Sequence, residues 1–326
     1  GVGALASVGA TGSVNYLILG FVIGVCNGFA IPIAQLFGAR DYSDLRRHVA
    51  NAAWLCIAGS VVLTVMTVAL TRPMMQLMQT PADILDGAVI YIGWIFAGIP
   101  FIFLYNMVAA IMRALGDSKT PLKFLAFSAV LNAVLDLILI GGLGFGIVCS
   151  AVTTVAAEAA SAVMAAVYMA CRVPELCPER GQWRIRRALL GPILRYGSVT
   201  ALQQAVQPIC KVLIQGQVNA LGVGSIAAFN AVTRVDDFAF TPEQSIATAI
   251  TTYIAQNRGA RQPERIRRGF AVGRIAPAVV TFLLGIPGVQ TVFPYLSATK
   301  MQTNYMGLTI TELYYGGAFA CLPLLW

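Results

Sequence analysis

Long uninterrupted runs of apolar residues constrain this chain more than any other feature. A helix needs about 20 apolar residues to cross the roughly 30 Å hydrocarbon core of a bilayer. Nine runs near that length cover residues 14–37, 50–71, 87–112, 121–141, 146–171, 191–219, 226–256, 269–291 and 305–326. Because the runs are continuous rather than alternating, they predict transmembrane helices instead of barrel strands.

The composition excludes an ordinary soluble protein. Of the 326 residues, 58% are hydrophobic and only 11% are charged, whereas a soluble domain is about 25% charged. The outer surface must therefore face lipid. A net charge of +8 would suggest nucleic acid in a soluble chain, but the cations gather between the apolar runs. We therefore expect the lipid bilayer, and no nucleic acid, as a partner.

Positive charge is concentrated in alternate connections between the runs. Four connections hold 17 of the 22 Lys and Arg residues, and they cover 38–48, 113–123, 172–195 and 258–268. The other connections hold only Arg72 and Lys300. Because basic connections stay in the cytoplasm, the pattern predicts that these four lie on the cytoplasmic side.

The sequence contains an internal repeat. Residues 1–47 align without a gap with residues 222–268, and 14 of the 47 aligned positions are identical. Gly38 and its copy Gly259 fall where each apolar run stops, so we expect both to cap helices. Both copies run in the same direction across the membrane, which predicts two parallel halves with substrate bound between them.

The repeat also predicts how the chain is divided. We expect two six-helix bundles, of which the first helix and the last two to three helices are absent from this sequence. Residues 1–187 would form an N-terminal lobe with helices 2–6 of the pattern. Residues 188–326 would form an incomplete C-terminal lobe with helices 7–10.

Several kinds of chemistry have no candidate residues. His48 is the one histidine and lies in a basic connection, so the sequence offers no histidine metal site or catalytic triad. No phosphate-cradling G-x-x-x-x-G-K-[ST] segment occurs, which argues against ATP as the energy source. We therefore expect no enzyme activity and no cofactor, with H⁺ or Na⁺ as a coupling ion.

Asp136 is the sharpest candidate for function. It lies inside the run 121–141, where a charged side chain costs about 2.5–3.5 kcal/mol at the centre of a helix. Asn132 stands four residues earlier on the same helical face, so its amide can bond the carboxyl group. This pair suits a proton or sodium site, although a structural hydrogen bond between two helices is the alternative. Thr153 and Thr154 in the next run either complete the cluster or bond their own backbone.

Other polar side chains in the runs are candidates for a substrate cavity: Glu158, Gln203, Gln204, Asp236 and Asp237. Glu158 lies one turn beyond Thr154, and it either faces the cavity or pairs with a cation. An internal ion pair between Arg234 and Asp237 would leave Asp236 as a partner for a cationic substrate.

Three segments resemble the multidrug and toxic compound extrusion (MATE) transporters. They are Ala34-Gln35-x-x-Gly38-Ala39, its copy at 255–260, and Arg-Ala-Leu-Gly-Asp-Ser-Lys-Thr-Pro at 113–121. Val-Asp-Asp-Phe at 235–238, followed by Pro242, is similar to the NorM/DinF-like bacterial branch. The resemblance covers essentially the whole chain.

The resemblance implies an all-α polytopic protein of two parallel bundles in the bacterial inner membrane. Such proteins export cationic amphiphilic compounds in exchange for H⁺ or Na⁺, and we expect a monomer. Asn132, Asp136 and Thr154 match the family's cation-coupling cluster, and Asn106 matches a polar cavity residue. An acidic residue on the family's first helix has no counterpart here. Gln203 and Gln204 stand where some members carry a glutamate, which weakens the case for a second sodium site.

Three other interpretations remain open at this point. A lipid-linked precursor flippase of the same superfamily would need a strongly cationic cavity for pyrophosphate, whereas Asp136 and Glu158 are anionic. A transporter fragment without activity is the second alternative. A protein of another class is the third: a membrane enzyme would need His, Ser-Lys or paired carboxylates facing a substrate, of which the sequence offers little. A channel or a structural scaffold would not explain the acids inside the runs.

Overall fold

The structure is a computed structural model that describes residues 2–77, 80, 82–219 and 223–285. These residues are helical along almost their entire length. The α-helices are α1 (Val2–Gly38), α2 (Tyr42–Leu77), α3 (Ala82–Ala97), α4 (Ile99–Ala114), α5 (Lys119–Asp136), α6 (Ile147–Arg172), α7 (Arg187–Asn219), α8 (Val223–Gly259) and α9 (Pro263–Gly285).

The helices follow the predicted apolar runs. Within the described residues, four are long and apolar enough to cross a membrane, and they cover Val14–Gly38, Tyr42–Leu77, Lys119–Gly142 and Val148–Arg172. The run 87–112 forms two helices, α3 and α4, whose axes differ by 44° across the break at Gly98. The runs 191–219 and 226–256 lie within α7 and α8. The run 269–291 extends beyond the described residues, and 305–326 lies outside them.

The chain divides into two compact units between Pro208 and Ile209. In the first unit, α1 packs against α2, α3 and α4, while α6 packs against α3, α4 and α5. In the second unit, α8 packs against α9. The predicted division into lobes at residues 187 and 188 remains a prediction.

A glycine stripe brings α1 into backbone contact with α7. A methyl group added at Gly24 would lie 2.7 Å from the Cα atom of Ala201, and one at Gly28 would lie 2.5 Å from the Tyr196 carbonyl oxygen. At this crossing, the Thr200 hydroxyl donates a 2.7 Å hydrogen bond to the Gly24 carbonyl. Small residues four apart permit such close approach between helices in membranes.

The segment 113–121 is a tight connection between α4 and α5. Gly116 has a φ of +98°, a left-handed conformation that glycine adopts at little cost. The Asp117 carboxylate then accepts hydrogen bonds from the backbone N–H groups of Lys119 and Thr120, at 3.1 and 3.0 Å. Arg113 closes the unit by donating a 3.0 Å hydrogen bond to Asn27 on α1. The segment 113–121, on which part of the resemblance rests, therefore ends α4, caps the start of α5 and ties the connection to α1.

These hydrogen bonds also affect the ionisation of Asp117. Partial burial by itself raises the pKa of its carboxyl group. The Thr120 hydroxyl, the two N–H groups and the Lys123 charge outweigh that effect and hold the pKa below its ordinary value. The cap therefore favours the ionised carboxylate.

The internal repeat is visible in the backbone. Helices α1 and α8 both contain 37 residues and end at the repeated positions Gly38 and Gly259, as predicted. The left-handed residue that closes each helix comes later, at Arg40 (φ 59°) and Arg261 (φ 54°). The next residue's N–H group bonds back to the helix, from Asp41 to Leu36 at 3.0 Å in the first copy. The helices thus end at the two glycines, and the left-handed conformation falls two residues later in both copies.

The crossing of α1 and α7 predicts opposite results for two glycines of one helix. Gly28→Ala should lower the free energy of unfolding by about 2–3 kcal/mol, because the new methyl group meets α7 backbone atoms that cannot rotate away. Gly12→Ala, with nothing within 4 Å of the added methyl group, should gain up to about 1 kcal/mol from helix propensity. Thermal unfolding in detergent measures both, and equal effects would contradict the crossing.

The left-handed arginine predicts a stabilising substitution. A non-glycine residue in this conformation costs about 1–2 kcal/mol of strain, which a glycine removes. Glycine also makes the unfolded chain more flexible, which lowers the free energy of unfolding by about 0.4–1 kcal/mol. Arg40→Gly should therefore stabilise the protein by about 0.5 kcal/mol. Gly116→Ala should destabilise it by a similar amount for the same reason. Chemical denaturation of both variants tests the pair, and a destabilised Arg40→Gly would contradict the assignment.

Candidate functional site

Asp136 lies at a break in helix type. It is the last residue of α5, and the chain continues as a π-helical segment from Leu137 to Gly142. The run 121–141 forms one candidate membrane span, Lys119–Gly142, as predicted, and the change of helix type falls within it. Gly141, Gly142 and Gly144 follow closely, and glycine weakens the helix interior. Short π-helical stretches are frequent at functional sites.

Two hydroxyl groups on α6 hold the Asp136 carboxyl group. Thr153 donates a short hydrogen bond from its hydroxyl group to Oδ1. Ser150 donates to Oδ2 over 3.4 Å. Thr153 is buried and Asp136 is half-buried. Hydrogen-bond donors from α6 therefore cover one side of the Asp136 carboxyl group.

Asn132 joins the cluster through the threonines. Its side-chain amide donates to the Thr154 hydroxyl at 3.2 Å and to the Thr153 hydroxyl at 3.5 Å. We expected the amide to bond the carboxyl group directly, but no such bond is present within the described cluster. The amide instead reaches across to α6, because Thr153 stands between it and Asp136.

A count of hydrogen atoms shows how the hydrogen bonds of the cluster are shared. The Ser150 carbonyl lies 2.9 Å from the Thr153 hydroxyl and 2.8 Å from the Thr154 hydroxyl. Each hydroxyl has one hydrogen atom to donate. Thr154 donates to that carbonyl, whereas Thr153 can donate either to the carbonyl or to Asp136. Thr154 therefore bonds its own backbone, whereas Thr153 donates to its backbone or to the carboxyl group, one at a time.

A second carboxyl group and a tyrosine lie near the cluster. Tyr91 on α3 interacts electrostatically with both Asp136 and Glu158. Glu158 is half-buried, one turn beyond Thr154 on α6. No described residue forms a hydrogen bond or a salt bridge with Glu158. The cation partner considered for Glu158 is therefore not found within the described residues.

The remaining predicted cavity residues lie on α4, α7 and α8. Asn106 on α4 donates its side-chain amide to the Ile102 carbonyl of its own helix at 2.9 Å. Gln203 and Gln204 lie half-buried on α7. Asp236 and Asp237 belong to α8, but their side chains lie outside the described part. The roles of all five remain predictions.

Sequence reasoning missed Ser150 in the cluster and the electrostatic interaction of Tyr91 with Asp136 and Glu158. Ser150 stands four positions before Thr154, so a search along the same face of α6 would have found it. Tyr91 carries no such signal, because its nearness to Asp136 comes from the packing of α3 against α6. Helix periodicity within one run does not report which other run lies opposite.

Comparisons with known proteins agree with this architecture. The chain matches the family model MatE over residues 1–138 and 200–314. It is similar to the probable multidrug resistance protein YoeA of Bacillus subtilis, with 30% identity over 94% of this chain and 68% of that protein. It is also similar to an FAD transporter of Shewanella oneidensis, with 23% identity over 88% of this chain and 64% of that protein. The chain thus spans about two thirds of the length of these relatives.

Solved structures give the same result for the fold. A crystal structure of MATE in the straight conformation superposes with a TM-score of 0.82 at 21% identity, covering 100% of this chain and 77% of the other. This likeness confirms the predicted all-α polytopic fold with apolar membrane helices.

The shared hydrogen bonds of the cluster predict unequal coupling of two adjacent threonines to Asp136. Hydrogen bonds to charged groups contribute about 1.5–3 kcal/mol and neutral ones about 1 kcal/mol. Thr153→Val should therefore cost more in wild-type protein than in an Asp136→Ala background. Thr154→Val should cost about the same in both. A double-mutant cycle on thermal unfolding measures this coupling, and equal coupling for both threonines would contradict the assigned network.

Proposed function

The chain belongs to the MatE family, and from this premise we propose that it is a proton-coupled exporter of cationic amphiphilic compounds. In this proposal Asp136 carries the coupling proton. Ser150 and Thr153 bond the Asp136 carboxyl group in both of its protonation states, while Asn132 and Thr154 complete the surrounding network of hydrogen bonds.

The observation that carries the proposal is the position of the Thr153 hydroxyl group, which lies within hydrogen-bond distance of both the Asp136 carboxyl group and the Ser150 carbonyl. When Asp136 is ionised, Thr153 and Ser150 donate hydrogen bonds to its oxygen atoms. When Asp136 is protonated, its O–H group can donate to the Thr153 oxygen. The Thr153 hydrogen then rotates to the Ser150 carbonyl, 2.9 Å from its oxygen. That carbonyl also accepts the backbone N–H group of Thr154 within α6, so this N–H group and the two threonine hydroxyl groups share its two lone pairs.

The donors in the cluster favour a proton over Na⁺. A sodium ion would need several oxygen lone pairs pointing to one place. Here the Asn132 amide directs N–H groups at both threonine oxygens, which occupies lone pairs that a cation would use. The Na⁺-coupled alternative requires the Asn132 side chain to turn over, so that its oxygen faces the cluster.

Two carboxyl groups support a cationic cargo. Asp136 and Glu158 lie on packed helices, and Tyr91 is in electrostatic reach of both. Glu158 is half-buried without a cationic partner among the described residues, so a positively charged substrate would offset its desolvation. The pyrophosphate of a flippase's lipid substrate is negatively charged, and these two carboxyl groups would repel it. The FAD transporter among the relatives supports an anionic cargo as the second candidate.

We place the protein in the bacterial inner membrane as a monomer, with segments 38–48, 113–123, 172–195 and 258–268 in the cytoplasm. In that orientation the connection between α5 and α6, at residues 143–146, faces the outside. Asp136 precedes this connection by seven residues and follows the cytoplasmic start of α5 by seventeen. Protons would therefore reach Asp136 from the outer side, as alternating access by antiport requires.

The proposal predicts that Asp136→Asn abolishes coupled export in a folded protein. The amide cannot release a proton at any pH in the working range, so ethidium efflux from proteoliposomes driven by an imposed pH gradient should fall to background. Asp83→Asn, the same change at an exposed carboxylate of α3, should leave efflux unchanged. Undiminished proton-driven efflux in Asp136→Asn would overturn the assignment of Asp136.

Imposed gradients also separate the ions and the cargoes in the unaltered protein. Ethidium efflux under a pH gradient alone supports proton coupling, whereas efflux under a Na⁺ gradient alone supports the alternative ion. Failure of ethidium under both gradients, together with uptake of FAD, would move the proposal to an anionic cargo.

A further inference from the structure

The segment that joins α6 to α7 folds against α2. It makes two short 3₁₀ turns, Pro174–Leu176 and Arg180–Gln182. Leu176 is 1% exposed, so the first turn is anchored in the protein interior. Glu179 forms a 3.3 Å salt bridge with Arg46 near the start of α2. This connection is therefore a docked element and not a free loop.

Two further contacts fix the second half of the connection. The rings of Trp54 and Trp183 meet edge to face with centroids 6.4 Å apart, and the Trp54 indole N–H donates to the Trp183 carbonyl at 3.0 Å. The backbone N–H of Arg186 donates to the side-chain oxygen of Asn51 at 2.9 Å. Because Asn51 is fully buried, this hydrogen bond holds the backbone at Arg186 against α2.

Trp54 stands where α2 changes from polar to apolar. Asp44 and Arg47 near the helix start form a salt bridge with each other. After Trp54, the exposed side of the helix is apolar, beginning with Ile57, Val61 and Val62. Tryptophan is enriched where a membrane helix leaves the hydrocarbon. The tryptophan pair therefore marks the level of the lipid headgroups.

The docked connection carries three arginines to that level. Arg184, Arg186 and Arg187 are all exposed. No described acidic side chain forms a salt bridge with any of them. A guanidinium group can donate two parallel N–H hydrogen bonds to the oxygen atoms of one phosphate. The surface therefore offers hydrogen-bond donors for a phosphate directly beside two exposed indole rings.

We propose that Trp54, Trp183, Arg184, Arg186 and Arg187 form a binding surface for an anionic phospholipid. The headgroup phosphate lies against the arginines, and the acyl chains run along the apolar side of α2 beyond Trp54. An ordinary orientation signal requires only positive charge. The ring contact, the indole hydrogen bond and the buried Asn51 hold this segment in one arrangement, which a binding surface requires.

The tryptophan pair provides the probe. With Trp94 and Trp326 changed to Phe, the remaining tryptophans are Trp54 and Trp183. The protein is placed in nanodiscs of phosphatidylcholine with a minority of brominated phosphatidylglycerol, whose bromine atoms quench tryptophan fluorescence. A matched disc carries brominated phosphatidylcholine at the same mole fraction. A basic residue near an anionic surface contributes about a fivefold preference, so we expect at least a fivefold preference for phosphatidylglycerol.

Matched variants separate this surface from general positive charge. R184Q/R186Q/R187Q should bring the preference close to one. R265Q/R267Q/R268Q, with the same charge loss on the exposed start of α9, should leave the preference unchanged. If the first triple variant does not fold, each of its single substitutions should reduce the preference severalfold. Equal quenching by both lipids, or a preference that survives the first triple substitution, would overturn the proposal.

Inorganic phosphate tests the other source of the same chemistry. The lipid preference is measured again with phosphate added at an ionic strength matched by chloride. Because the acyl chains contribute to lipid binding, phosphate should displace no more lipid than chloride does. Selective displacement by phosphate would assign the surface to a free anion and overturn the assignment to a lipid.

Discussion

The bilayer offers no water to unpaired polar groups, and this constraint shapes the rest of the structure. Each such group must find a partner inside the protein or give up several kcal/mol. Thr67, Thr71 and Thr200 therefore donate their hydroxyl groups to backbone carbonyls. A carboxyl group has too many lone pairs to be satisfied by one backbone group, so Asp136 draws hydroxyl donors from a second helix. The packing of α5 on α6 and the candidate site are thus consequences of the same constraint.

A proton-coupling group must be stable both with its proton and without it. If one protonation state is strongly preferred, the group cannot bind and release a proton in each transport cycle. The cluster around Asp136 meets this condition with a single rotating bond. The Thr153 hydrogen moves between the carboxyl group and the Ser150 carbonyl, while Asn132 and Thr154 keep their partners. Neither state leaves a buried donor of the cluster without an acceptor. The helices therefore need no large rearrangement to exchange the proton, and binding of the cargo can decide which state is populated.

The helices could be predicted well from the sequence because the length and the polarity of a membrane span are direct properties of the chain. The meeting of Asn132, Asp136, Thr153 and Thr154 could also be predicted, since Asn132 and Asp136 share one helical face and the two threonines lie in the adjacent run. The bonding of Asn132 to the threonines instead of Asp136 could not, because it depends on the depth at which α5 and α6 cross. The π-helical segment after Asp136 and the approach of Tyr91 were also missed, because both depend on how the helices pack and not on periodicity within one run.

The connection between α6 and α7 shows how the same constraint acts at the membrane surface. Inside the bilayer a polar group must be paired within the protein, but at the headgroup level a charged side chain can use the lipid itself. Asn51 is buried and is satisfied by the backbone of Arg186, whereas the side chains of Arg184, Arg186 and Arg187 remain exposed. The contact between the Trp54 and Trp183 rings holds the connection beside these arginines. A docked connection with open arginines is therefore what would be expected if the protein uses lipid phosphates to complete its own surface.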